Sequence, residues 1–142
     1  MAEFTHTKRG ACLNSATACM ETALRLFKIG AGDEVIVPAY TYTASASVVC
    51  HVGATLKLID VKKGTYELDY DALEAAITEK TKAVIPVDIA GVMVDYDRIR
   101  KIVESKKHLF KPASEYQEAL GRVLILADSA HGYGASRQGL MS

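Results

Sequence analysis

Short runs of branched aliphatic residues alternate along this chain with longer segments in which apolar residues recur at helical spacing. This alternation is typical of the α/β class of fold, a mainly parallel sheet flanked by helices. Five of the short runs predict strands, the first of them brief. They are Ala11–Leu13, Val35–Val37, Leu56–Ile59, Ala83–Val87 and Val123–Ala127.

The longer segments predict helices, and residues at their ends support the boundaries. Asp69 and Asp95 stand where a side chain can accept hydrogen bonds from the free N–H groups of a first helical turn. Gly30 and Gly32 suit the left-handed exit of the first helix. The predicted helices cover Thr17–Ile29, Thr43–His51, Tyr70–Ile77, Tyr96–Val103 and, as a short amphipathic segment, Ser114–Leu120.

Composition narrows the class of protein. With 142 residues and 49% hydrophobic positions, the chain suits one domain with a substantial core. Lys plus Arg and Asp plus Glu both count 17, without a basic stripe, so nucleic acid is not an expected partner. No apolar run approaches the roughly 20 residues of a membrane span, and Met1–His6 has no signal-peptide core, so we expect a cytoplasmic protein without membrane association.

The three cysteines, Cys12, Cys19 and Cys50, are odd in number and include no Cys-x-x-Cys pair. This spacing predicts neither a disulfide framework nor a closed zinc site. Small apolar side chains of this kind are most often buried, and burial is the prediction for all three.

Polar residues follow several predicted strands at the point where each strand ends. In an open parallel sheet, ligands bind beyond the carboxyl ends of the strands, so these residues are expected along one edge. The polar segments are Asn14–Ala18, Pro38–Tyr42, Asp88 and Asp128–His131.

The segment Asn14–Ala18 is a turn of small residues that enters a helix. Free N–H groups and the helix dipole favour an anion there, and the hydroxyls of Ser15 or Thr17 add donors, so a phosphate would fit. Ordinary capping by Asn14 or Ser15 explains the segment equally well. No Gly-x-Gly-x-x-Gly or P-loop pattern is present, which argues against dinucleotide and nucleoside triphosphate sites.

Three further side chains are candidates for the same edge. Tyr42, like Tyr40 two residues earlier, can offer a flat face to a ring, although an ordinary core or surface aromatic is the favoured interpretation of either residue taken alone. Asp128 ends an apolar strand, where a carboxylate needs a donor, either from a ligand or from the next turn. His131 follows three residues later, and the four histidines show no ligand spacing, so no metal site is predicted.

Taken together, these segments resemble the DegT/StrS-type sugar aminotransferases of the DegT/DnrJ/EryC1/StrS family, pyridoxal-phosphate (PLP) enzymes of the aspartate-aminotransferase fold, fold type I. Each piece is weak, but the pieces occur in the family's order and spacing. The matching stretches are Leu13–Ala18, Ile29–Pro38, Tyr40–Ala44, Val87–Gly91 and Ala127–Gly132.

The resemblance implies a role for each candidate residue. Ser15, Ala16 and Thr17 would lie at the cofactor phosphate, and Tyr42 matches the aromatic residue that stacks on the pyridine ring. Asp128 would pair with the ring nitrogen and keep it protonated. His131 matches a position near the ring hydroxyl that the family fills with His or Gln.

In the family, the Schiff-base lysine lies downstream of an Asp-x-Ala-His motif, which corresponds to Asp128–His131 here, in a segment absent from this chain. No lysine of this chain matches that position, so no catalytic residue is assigned; the lysines present include Lys8, Lys28, Lys82 and Lys111. The resemblance implies that residues 1–142 are a partial PLP-binding large domain, without the small C-terminal domain.

The intact enzyme is then expected to move an amino group from glutamate or glutamine to a keto sugar nucleotide, in polysaccharide biosynthesis. It is expected to be a homodimer or other homo-oligomer, and this fragment to be inactive alone. The alternative is a truncated, non-catalytic domain that binds PLP or phosphate, or serves only in protein interaction.

Overall fold

The computed structural model describes Glu3 and residues 7–141. The N-terminal prediction at Met1–His6 falls largely outside these residues. Helices and strands alternate as the sequence pattern predicts. In chain order they are α1 Ala16–Leu26, β1 Glu34–Pro38, α2 Thr43–His51, β2 Thr55–Ile59, α3 Tyr70–Ala76, β3 Thr81–Val84, α4 Tyr96–Ser105, α5 Glu115–Leu120, β4 Leu124–Ile125, β5 Ser136–Arg137 and β6 Leu140–Met141, with single 3-10 turns at Ile89–Gly91 and Lys107–Leu109.

Strands β1 to β4 form one parallel sheet in the order β2-β1-β3-β4, and β5 and β6 form a separate antiparallel pair. The α/β class predicted from the sequence is confirmed. Pairing continues beyond β3 and β4 through a parallel bridge between Val87 and Asp128. The N–H of Asp88 donates to the Asp128 carbonyl at 3.0 Å, so the two acidic residues emerge at the same edge of the sheet.

Alternation along β1 explains the two-sided core. Val35 and Val37 face a cluster with Met20, Leu24 and Val48, whereas Ile36 faces the opposite cluster. Because successive side chains of a strand point to opposite faces, a strand buried on both sides must be apolar throughout. Helices α1 and α2 therefore cover one face, and α3 and α4 cover the other.

Local capping determines several helix boundaries as predicted. The Asp69 side chain accepts from the N–H groups of Asp71 and Ala72, each at 3.0 Å, and α3 begins at the next residue. The Asp95 side chain accepts from Arg98 N–H at 3.0 Å at the start of α4. Helix α2 occupies the predicted range Thr43–His51.

Apart from the exact ends of strands β3 and β4, three local predictions are wrong. Ala11–Leu13 is exposed and forms no strand, because no strand among the described residues lies beside it. Helix α1 ends at Leu26, and its left-handed exit falls on Lys28, with φ of 54°, ahead of Gly30. The cysteines are exposed, since Cys12 precedes α1 and the other two lie on outer faces of helices.

No helix among the described residues is long and apolar enough to cross a membrane.

A candidate cofactor site at the carboxyl edge of the sheet

The N-terminus of α1 forms one side of the candidate site. The Ser15 hydroxyl accepts from the N–H of Ala18 at 3.1 Å and so caps the helix. The N–H groups of Ala16 and Thr17, at the first two helical positions, have no acceptor within the helix. This end of α1 therefore offers two backbone donors, the positive end of the helix dipole and the Thr17 hydroxyl.

Tyr42 stands at the other side, directly before α2. Its side chain is 74% exposed, although large aromatic side chains usually gain stability by burial. Together with Thr41 and Ala44 it lines the same cavity as Ala16 and Thr17. Its ring is thus available to a ligand.

Asp128 supplies the negative charge of the site. It is 7% exposed, and the bridge to Val87 places it just beyond β4. The hydroxyl of Ser45, a residue of α2, donates to its Oδ2 at 2.7 Å, and the N–H of Ala130 donates to its Oδ1 at 3.2 Å. Both carboxylate oxygens are therefore held by protein donors, and each retains a second lone pair.

These elements surround a cavity of about 220 Å³. Five of the six site residues predicted from the sequence line this cavity. The sixth, Ser15, is not among the lining residues and caps α1 instead. His131 is exposed at the rim. The lining residues are Ala16, Thr17, Met20, Thr41, Tyr42, Ala44, Val87, Ile89, Asp128, Ala130 and His131.

A second carboxylate, Asp88, supports the loop that follows Asp128. It is fully buried, and it accepts from Val94 N–H and the Tyr96 hydroxyl at 3.0 Å and from the Ser129 hydroxyl at 2.7 Å. Burial raises the pKa of Tyr96 well above its ordinary value, and the adjacent Asp88 carboxylate raises it further. Tyr96 therefore remains a neutral donor, and Asp88 secures Ser129 beside Asp128.

The residues present fit a flat, phosphorylated pyridine. Backbone donors at a helix N-terminus suit a phosphate, and an exposed aromatic face suits a ring. A nearly buried carboxylate suits a protonated ring nitrogen, to which it can accept a charge-assisted hydrogen bond. Among the described residues no group of three or more His, Cys, Asp or Glu side chains stands close enough to hold a metal ion.

Sequence reasoning did not single out the apolar residues that line the cavity, or the buried hydroxyl of Ser45 next to it. Met20 lies in a segment whose pattern indicated only a helix, and Val87 and Ile89 lie in a stretch that resembled the family but carried no residue role. Ser45 is fully buried against Asp128, yet it lies 83 positions away in the chain. No local pattern distinguishes it from Ser47 on the same helix.

Fold and cavity together define a class of protein, an α/β domain with a candidate ligand site at the carboxyl ends of parallel strands. All of residues 1–142 match the DegT/DnrJ/EryC1/StrS aminotransferase family, and the chain belongs to that family. The family resemblance predicted from the sequence is thereby confirmed.

Solved structures and curated relatives agree with this assignment. Spr1654 of Streptococcus pneumoniae, assigned as a sugar aminotransferase, is 52% identical, with a TM-score of 0.97 in its apo form; the match covers 99% of this chain and 35% of that one. The same protein has been solved in PMP and PLP forms. These forms and the family assignment indicate pyridoxal phosphate as the cofactor of such proteins.

Two curated relatives are similar at lower identity. The 3-amino-5-hydroxybenzoate synthase of Amycolatopsis mediterranei is 37% identical over 127 residues, which is 89% of this chain and 29% of that protein. GDP-perosamine synthase of Caulobacter vibrioides is 36% identical over 99% of this chain and 34% of that protein. The chain spans about a third of the length of these relatives.

Proposed function

We propose that this chain is the cofactor-binding part of a PLP-dependent aminotransferase, a partial large domain of the complete enzyme. One observation carries the proposal. The N-terminus of α1, the exposed ring of Tyr42 and the Asp128 carboxylate meet at one cavity, where a phosphate, a ring and a ring nitrogen would each find a partner.

The phosphate would bind at the start of α1. The N–H groups of Ala16 and Thr17 would donate to its oxygens, and the Thr17 hydroxyl would add a further donor. The Ser15 hydroxyl, engaged with Ala18, keeps this turn in place. A dianion at the positive end of the helix dipole is stabilised electrostatically, so these residues would supply much of the affinity.

The ring would lie against Tyr42, with Met20, Val87 and Ile89 excluding water from its surroundings. The Asp128 carboxylate would hold a proton at the pyridine nitrogen, because a negative charge in a partly dehydrated site favours the protonated base. When bound, the cofactor supplies an electron sink for the pair of electrons released at the substrate's Cα. His131, at the rim, would contact the ring hydroxyl, as the family resemblance implies.

The proposed reaction transfers an amino group from an amino acid, glutamate or glutamine, to the keto group of a sugar nucleotide. The similarity to GDP-perosamine synthase and to Spr1654 supports this substrate class. The similarity to 3-amino-5-hydroxybenzoate synthase supports the competing hypothesis, that the substrate is not a sugar nucleotide. We also propose that the complete enzyme is a homodimer, which size-exclusion chromatography with light scattering would test.

The test of the cofactor assignment is PLP titration of the chain, followed by absorbance, with Asp128→Ala as the variant. A hydrogen bond to a charged group contributes about 1.5–3 kcal/mol, so the affinity is expected to fall roughly ten- to a hundredfold. Asp97→Ala, at the exposed start of α4, is the control and should bind as the unaltered chain does. Equal affinity for the Asp128→Ala chain would remove this residue from the site.

A second candidate, a non-catalytic PLP- or phosphate-binding or interaction domain, is favoured by one observation. No lysine is among the described residues that line the cavity. Borohydride reduction of the chain with PLP, followed by peptide mass spectrometry, separates the two for this chain. A single modified lysine would supply the amine that transamination requires, whereas scattered modification would favour the non-catalytic domain.

A further inference from the structure

A chain of two hydroxyl groups leads from the loop before α2 to the Asp128 carboxylate. The oxygens of Thr41 and Ser45 are 2.8 Å apart, and the Ser45 oxygen lies 2.7 Å from Asp128 Oδ2. Ser45 is fully buried and Asp128 nearly so. These groups connect two segments, α2 and the end of β4, that the sheet alone does not join.

The direction of the hydrogen bonds follows from the chemistry of the groups. An ionised carboxylate can only accept, so the Ser45 hydroxyl donates its one proton to Asp128. The Tyr42 carbonyl is a weaker competitor for that proton, since it lies 3.4 Å away. With the Ser45 proton committed, Thr41 is the donor in its contact with Ser45.

This arrangement fixes the carboxylate without occupying it fully. Ser45 holds Oδ2 and the N–H of Ala130 holds Oδ1, and each oxygen has a second lone pair for a ligand. Tyr42 lies between Thr41 and Ser45 in the sequence, so the segment that presents the aromatic ring also orients the acid. Loss of the Ser45 hydroxyl would leave a carboxylate oxygen of a nearly buried residue without its shortest donor.

We propose that Ser45 is a positioning residue for Asp128 and that Thr41 assists it. The two hydroxyls then determine how strongly the site prefers a ligand with a protonated ring nitrogen over one with carbon at that position. The ligand part of this inference rests on the proposed function. Ser45 itself need not touch the ligand, because it is absent from the residues that line the cavity.

The ligand test compares two probes by calorimetry, pyridoxamine 5′-phosphate and its analogue with CH in place of the ring nitrogen. Neither probe requires a lysine. In Ser45→Ala the preference for the nitrogen-containing probe should fall about tenfold, as expected for one hydrogen bond to a charge. Ser45→Thr, which keeps the hydroxyl, should retain most of the preference.

Ser47→Ala is the matched control, because Ser47 is on the same helix and its hydroxyl donates to the Ala44 carbonyl. It should leave the preference unchanged. Should Ser45→Ala not fold, Thr41→Val removes the second donor and is expected to lower the preference about threefold. An equal loss of affinity for both probes, or no loss, would overturn the inference.

A measurement without ligand separates this inference from the proposed function. In chemical unfolding, Ser45→Ala and Asp128→Ala are combined in a double-mutant cycle. The positioning contact predicts a coupling of about tenfold in the unfolding equilibrium constant. If the effects of the two substitutions on unfolding are additive, the Ser45 contact is refuted even if the cofactor binds. If they are strongly coupled but the unaltered chain binds neither probe, only the proposed function is refuted.

Discussion

Replacement of Asp88 by alanine is expected to destabilise the fold and to loosen the candidate site at the same time. Asp88 is fully buried and accepts hydrogen bonds from Val94 N–H, the Tyr96 hydroxyl and the Ser129 hydroxyl. These donors lie in two segments, the start of α4 and the loop after β4. The carboxylate therefore connects both of them to the segment that follows β3.

The expected loss in the free energy of unfolding is about 3 kcal/mol for Asp88→Ala. The buried N–H of Val94 would lose its acceptor, which alone costs about 1–3 kcal/mol. Tyr96 and Ser129 are half-buried residues, so their hydroxyls would lose less than a fully buried donor. Removal of a buried charge also offsets part of the loss. Against a typical total of about 5–15 kcal/mol, this is a large fraction.

Asp88→Asn should cost less, about 1 kcal/mol, because the amide oxygen can still accept and the Ser129 hydroxyl can accept from the amide nitrogen. The assay is guanidinium unfolding followed by circular dichroism. Asp71→Ala, at a side chain that is 89% exposed, is the control and should change the free energy by less than about 1 kcal/mol. An alanine variant as stable as the asparagine variant would refute the reasoning.

Three further predictions concern single side chains of the same region. Tyr42→Ala should change stability by less than about 0.5 kcal/mol, because the ring is exposed, yet weaken PLP binding roughly two- to tenfold through lost ring contact; equal binding in absorbance titration would exclude the stacking role. Ser15→Ala removes the cap on Ala18 and should lower the free energy of unfolding by about 1 kcal/mol in thermal melts; an unchanged melt would contradict the capping. The raised pKa of folded Tyr96 means that only the unfolded state loses this proton above about pH 10, so stability should fall from there upward. Tyr96→Phe should make the decline of melting temperature with pH less steep, although the variant loses the hydrogen bond to Asp88 at neutral pH. An equally steep decline in the variant would show that other groups cause it.

Local signals in the sequence predicted most element boundaries. Asp69 and Asp95 act as caps because their partners lie two or three residues away, within reach of short-range reasoning. The prediction of a strand over Ala83–Val87 was less accurate at its end. Strand β3 ends at Val84, and Pro86 has no N–H to donate to a neighbouring strand.

The predicted strand at Ala11–Leu13, by contrast, depended on residues far away in the chain. Three residues with suitable side chains do not make a strand unless a neighbour supplies hydrogen-bond partners, and that neighbour cannot be read from a local pattern. The end of α1 was not predictable from local preference either. Its left-handed residue is Lys28, although Gly30, two residues later, would adopt that conformation with less strain.

Hydrophobic periodicity and the order of short and long segments, both local properties, were enough to predict the parallel α/β architecture and the gathering of polar residues at one edge. Contact between residues far apart in the chain depended on the tertiary structure. Strand register placed Asp128 beside Val87, and the packing of α2 brought the Ser45 hydroxyl to that carboxylate from 83 positions away. A hydrogen bond forms only over about 3 Å, so its partners are determined by the assembled fold and carry no signal in the spacing of the chain.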